Sequence, residues 1–237
     1  MCFFNSQNKR ALAIAKRYGR QSDIVEIAKE ILEEQRQAEE IEETGTHFVQ
    51  KAFLHPDCYV VTHDEQLQTA KWGLIPFWVR EVEKAESIRK MTANAKAETA
   101  ASLPSFREAI KRRRCLIPST GFYEYHHEGK EAIPYRISLR DTDIFSLAGV
   151  YDEWRHPATK ELIRTFAVLT VPANELCGFI HNGGRNPRRM PGILTAADEM
   201  TWLRPDLTDD DIRGLLRPYD SVSMDAVVLE KDFLRRA

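Results

Sequence analysis

The chain has 237 residues, of which 43% are hydrophobic and 30% charged, with a formal net charge of -2. That balance suits one globular domain with a sizeable core. It excludes a helical membrane protein, because no apolar run is long enough to span a bilayer. The near-neutral sum excludes a uniformly basic coat but leaves room for a local basic groove.

In chain order, the opening Met-Cys-Phe-Phe-Asn-Ser has no basic segment leading into an apolar stretch, so it does not read as a secretory signal and a cytoplasmic location is expected. Residues 21–43 carry the clearest helical pattern. Asp23 with Glu26 forms a capping pair, Ile24, Ile27, Ile31, Ala38 and Ile41 share one stripe, and Gly45 ends it. This helix reads as an insertion within a single domain. After it come β-type runs at 58–63, 69–75, 115–125, 134–139, 145–154, 163–171 and 222–228, rich in β-branched and aromatic residues. A helix is predicted over 104–113, and two more start at the capping pairs Thr195/Asp198 and Thr208/Asp211, stopped by Pro205 and Pro218. His126 and His127, beside Glu128-Gly-Lys, read as a hairpin turn. Strands without regular βα alternation argue for an α+β fold: a mainly antiparallel, partly barrel-like β core with peripheral helices.

The cysteines Cys2, Cys58, Cys115 and Cys177 show neither a Cys-x-x-Cys pair nor a short-spaced His partner. No disulfide framework, metal site or cofactor is expected. Cys2 is the residue with chemistry to offer. Removal of Met1 would expose an α-amine beside a thiol, with reference pKa values of about 8 and 8.5, so both are partly unprotonated at neutral pH. Such a pair can condense with an aldehyde, the amine forming an imine and the thiolate closing a five-membered thiazolidine. Taken alone, a second-position cysteine carries no such assignment.

Further segments bear on it: Lys71-Trp-Gly-Leu-Ile-Pro76, Thr92-Ala-Asn-Ala-Lys-Ala-Glu-Thr99, Ile117-Pro-Ser-Thr-Gly-Phe-Tyr-Glu-Tyr125, and Phe179-Ile-His181 followed by a loop, Asn182-Gly-Gly-Arg-Asn-Pro-Arg-Arg-Met-Pro-Gly192. Each is weak alone. In this order, together with Met-Cys at the start, they resemble the SOS response-associated peptidase (SRAP) family, the abasic-site processing proteins. The resemblance implies Cys2 as nucleophile toward the aldehyde of an abasic site in single-stranded DNA. Asn94 would orient the amino terminus or the sugar. Glu124 would help open the deoxyribose ring and shuttle protons, and His181 would act as acid and base at the sugar oxygen. Arg189 and Lys96 would hold phosphates, and Trp72 would stack on a base; Arg185 and Arg188, in a loop longer than the family's, would compensate for cations missing from the family pattern. It also implies possible strand cleavage or crosslink reversal through the imine, a monomer, and association with the nucleoid.

The residues alone leave other readings open. Glu124 could face solvent from an edge strand. Buried among aromatics, it would have a raised pKa. His181 could be a structural histidine, Asn94 a turn or cap residue, and Trp72 a core residue. The chain departs from the family pattern at Phe3 and Phe4, where Gly-Arg is usual, at Lys96, where arginine is usual, and in the longer loop after His181. Two other functions compete: a cysteine peptidase using Cys2 and His181, and a non-catalytic module for single-stranded nucleic acid.

Overall fold

The computed structural model describes residues 3–7, 11–22 and 49–236. Cys2 lies outside them, as does the 21–43 helix except for its first two residues, of which Gln21 forms a β-bridge to Gln66.

Two sheets make up the body of the chain. The first runs in the order β13 (Met224–Val228), β8 (Glu131–Leu139), β7 (Gly121–Glu128), β1 (Phe4–Ser6) and β2 (Gln50–Lys51), antiparallel throughout. The second runs β12 (Ile193–Leu194), β9 (Phe145–Arg155), β10 (Leu162–Pro172), β4 (Gln68–Trp72) and β3 (Asp57–Val60). On this second sheet β6 (Arg114–Ser119) also pairs with β9, while β5 (Asn94–Lys96) and β11 (Arg189–Pro191) pair with β10. The α+β class and the antiparallel majority match the expectation, with β4 and β5 joining β10 in parallel. The sheets are open rather than closed on themselves, so the barrel-like element of the expectation does not hold.

Local sequence explains most strands. β10 is buried without a break from Thr165 to Val171, the pattern of a central strand covered on both faces. The predicted single run over 115–125 is in fact two strands. Thr120 separates β6 from β7, and Gly121 takes up the chain on the other sheet. His126 and His127 belong to β7, so the hairpin turn falls later, at Gly129 and Lys130.

The helices are short. Thr195 caps α6 (Ala196–Trp202), and Thr208 with Asp211 forms a full capping box on α7 (Asp209–Leu215), as their spacing predicts. The 104–113 prediction narrows to α4 (Arg107–Arg112). Periodicity did not reveal α1 (Ala11–Tyr18), α2 (Val82–Arg89), α3 (Ala97–Ala100) or α5 (Glu175–Ile180). Eight residues or fewer hold too little pattern to stand out, and packing rather than propensity forms such helices. The Arg114 guanidinium ties two helix ends together by donating to the carbonyls of Ile110 and Lys111 on α4, to that of Trp202 at the end of α6 and to that of Arg204 just beyond it.

One core fills the space between the sheets, where Phe122 and Ile137 of the first meet Leu147, Phe166 and Val168 of the second. The other face of the second sheet packs Leu116, Val150 and Leu169 against Ile14 of α1 and Trp202 of α6. Among the described residues no helix is long and apolar enough to cross a membrane.

Candidate active site

Register decides which side chains face the inter-sheet layer, because side chains alternate along a strand and paired residues point to the same side. Phe122 faces that layer, so Glu124 and His126, two and four residues on along β7, face it too. On the opposing sheet Val168 faces it and is paired with Asn94, and Thr170 is paired with Lys96. The β7 and β5 residues singled out in the sequence therefore line one layer from its two sides.

Glu124 is only 7% exposed, which settles the solvent-or-core alternative in favour of the core. Burial pushes its carboxyl up to about 7, well above the ordinary 4.5. Its charge also reaches Cys177 on α5, a thiol that burial, aided by this carboxylate, pushes up to about 12. Glu124 thus sits under α5. Asn94 is 8% exposed, in a strand rather than a turn, and among the described residues neither its amide oxygen nor its amide nitrogen has a hydrogen-bond partner. An amide buried this way costs about 1–3 kcal/mol per unmet group unless something else satisfies it.

His181 immediately follows α5 and is held against β7 by its neighbours. The His126 ring stacks on Phe179 at 4.4 Å and its Nδ1 lies 2.8 Å from the Phe179 carbonyl. The Asn182 side chain accepts from the His127 amide at 2.8 Å and donates back to the His127 carbonyl at 2.9 Å. A Cβ at the next residue, Gly183, would lie 2.4 Å from the ring of the exposed His127, so a larger residue there would have to push that ring aside. His181 itself is 7% exposed, and burial lowers its pKa, so the ring is neutral at physiological pH. Its Nδ1 is 2.9 Å from the Arg189 carbonyl and 3.3 Å from the Arg189 amide, so the Arg189 backbone holds the ring through Nδ1 in either neutral tautomer. A carboxyl raised to about 7 and a neutral imidazole are the two protonation states that proton transfer near neutral pH requires.

The remaining expected site residues divide. Lys96, Arg185 and Arg188 are exposed cations, and Arg188 adopts a left-handed backbone at φ 55°. Arg189 is engaged. Its two terminal nitrogens meet the two Glu98 oxygens at 2.5 and 2.8 Å, and one of them also donates to the Thr170 carbonyl at 2.6 Å. A phosphate would have to share this guanidinium with Glu98 or displace it. Trp72 is the clear correction. It is 1% exposed, stacks on Phe166 at 5.8 Å and donates from its indole nitrogen to the Ala93 carbonyl at 2.9 Å. A ring so enclosed offers no face to a base. Gly73 follows at φ 107°, packed so closely on His55 and Arg89 that a Cβ would clash with both.

Cys2 lies outside the described residues, but the strand it precedes does not. β1 pairs antiparallel with β7, Phe4 opposite Tyr123 and Asn5 opposite Phe122. One further step upstream along that register reaches Phe3 on one strand and Glu124 on the other. Sequence reasoning missed two residues of this neighbourhood. Glu98 was visible only as part of a motif, and Asn5 carried no local signal.

Residues 1–233 match the family described as SOS response associated peptidase (SRAP). The chain is 39% identical over 165 residues to the abasic site processing protein YoqW of Bacillus subtilis, covering 69% of each chain. It is 28% identical over 182 residues to the abasic site processing protein HMCES of Gallus gallus, where the match covers 68% of this chain and 52% of that one. Among solved structures, a protein from Bacteroides thetaiotaomicron superposes with a TM-score of 0.89 at 43% identity, covering 100% of this chain and 95% of the other. A Bordetella bronchiseptica protein at 24% identity and a TM-score of 0.77 shares the fold. This chain belongs to the SOS response associated peptidase family.

Proposed function

We propose that the chain processes abasic sites in single-stranded DNA by bonding covalently to them through Cys2, once Met1 has been removed. The amine of Cys2 adds to the ring-opened sugar aldehyde and water leaves, giving an imine. The thiolate then adds to the imine carbon while the nitrogen takes up a proton, closing a thiazolidine with no other group lost. Glu124 supplies and receives the protons of these steps, and Nε2 of His181 serves the sugar oxygen during ring opening. Acid–base help of this kind is worth about 10²–10⁴ in rate. Asn94 offers both a donor and an acceptor to the sugar or to the amine. The exposed Lys96, Arg185 and Arg188 supply charge for the flanking phosphates. The same imine permits strand cleavage by β-elimination or reversal of the crosslink.

The observation that carries this reading is the unmet amide of Asn94, buried in the same inter-sheet layer that Glu124 faces beside the entry of β1. A polar pair without partners in a core is costly, and a bound sugar would satisfy it. The relatives' names, abasic site processing proteins, support the substrate class. The test is incubation with a uracil-containing single strand pretreated with uracil-DNA glycosylase, read on a denaturing gel. The parent chain yields a slow-migrating adduct and Cys2→Ala yields none. An adduct that persists in Cys2→Ala rejects the assignment, and Cys2-dependent cleavage of peptides without DNA replaces it with the peptidase reading.

A further inference from the structure

Among the described residues β1 is three residues long and pairs with β7 over that length, and the register it adopts decides where the amino-terminal end of the chain emerges. A strand this short is weakly specified by its ladder, and a slip of one residue would exchange its faces. A buried polar clasp holds it instead. The Asn5 side chain, 1% exposed, accepts from the Ser119 hydroxyl at 2.7 Å and donates to Gln50 on β2 at 3.3 Å. The Gln50 amide in turn donates to Gln7 at 3.1 Å. Gln7 donates to the carbonyls of Tyr59 at 2.9 Å and Pro118 at 2.8 Å, and accepts from the Tyr59 amide at 2.9 Å. The anchor point matters, because Ser119 is the last residue of β6, where the chain leaves one sheet for the other three residues before Phe122. Asn5 thus fastens β1 to the junction of the two sheets.

We infer that Asn5 is a positioning residue for the crosslinking reaction, locking the register of β1 so that the terminal aminothiol is presented beside Glu124. This inference rests on the function proposed above. It follows from the geometry: Asn5 pairs with Phe122, two residues before Glu124, and every step of register error moves the chain end by one residue along β7. Placement errors of about 1 Å can cost roughly 100-fold in rate. Asn5, the middle residue of β1, points into the inter-sheet layer and makes its contacts with Ser119 and Gln50, so its loss should leave DNA-facing cations untouched.

The experiment uses the full chain with Asn5→Leu combined with Ser119→Ala, so that no hydroxyl is left without its partner. Two quantities are compared with the parent: the single-turnover rate of adduct formation at saturating abasic single strand, and the Kd for an intact strand of the same sequence. A positioning role lowers the rate roughly 10- to 100-fold and leaves the Kd unchanged. If the double variant does not fold, Gln50→Leu at the half-buried outer link serves instead, with a smaller loss of rate and again no change in Kd. An unchanged rate, or a fall in rate that comes with a rise in Kd, overturns the inference while the parent's adduct upholds the function. Absence of a Cys2-dependent adduct in the parent overturns both.

Discussion

Replacing Glu124 by glutamine should stabilise the folded chain at alkaline pH while slowing its reaction. The carboxyl titrates near 7 in the folded state against an ordinary value of 4.5, because burial disfavours its charge. The folded state therefore holds this proton more tightly than the unfolded state does. Below about pH 4.5 both states are protonated and the group has no effect. Between 4.5 and 7 the unfolded state ionises first, so stability falls as pH rises, and above about 7 the full penalty of about 3 kcal/mol is present. Glutamine keeps the shape and has no proton to lose. Urea unfolding of parent and Glu124→Gln should coincide near pH 4.5 and diverge by pH 8, the variant being more stable by up to about 3 kcal/mol. With an m-value of about 2–3 kcal/mol/M this is a midpoint shift of about 1 M. All other titrating groups are common to both proteins and cancel in the difference. The same substitution should lower the adduct-forming rate about 10²- to 10⁴-fold and flatten its pH dependence near 7. A difference in stability that stays constant between pH 4.5 and 8 would refute the reasoning, since it would mean that the carboxyl is not held protonated by its surroundings.

Two further outcomes follow from the site's margins. Glu98→Gln should release Arg189 toward phosphate, steepening the dependence of log K on log salt for an intact single strand by about 0.7, and an unchanged slope would remove Arg189 from the phosphate contacts. Because Arg189 holds the Glu98 carboxyl below its usual range, the pair is complete at neutral pH and is lost only as pH falls through that depressed value. Trp72→Ala should cost about 3–5 kcal/mol of stability in thermal or urea unfolding, yet leave the affinity of the folded protein for single-stranded DNA unaltered; lost affinity without lost stability would restore Trp72 as a base contact.

Much of this molecule is local and was therefore readable from its residues in order. The caps at Thr195 and Thr208 act across three residues, and the structure contains both as predicted. The long strands β8, β9 and β10 announce themselves by β-branched and aromatic runs. The order of the motifs around Asn94, Glu124 and His181 pointed to one family, and residues 1–233 match it. Burial, pairing and register are different, because they depend on what the chain meets far from itself. Alternation left Glu124 facing either water or core, and only packing beneath α5 put it in the core and raised its pKa. Trp72 in a motif looked like a stacking platform until Phe166, 94 positions later in the numbering, covered its face. The Glu98–Arg189 pair joins residues 91 apart, and the Asn5–Ser119 bond joins residues 114 apart. Composition and order determined which chemical groups this protein owns. Their solvation and their partners, which decide what those groups can do, came from the sheet-to-sheet contact, because desolvation and hydrogen bonding act through space and not along the chain.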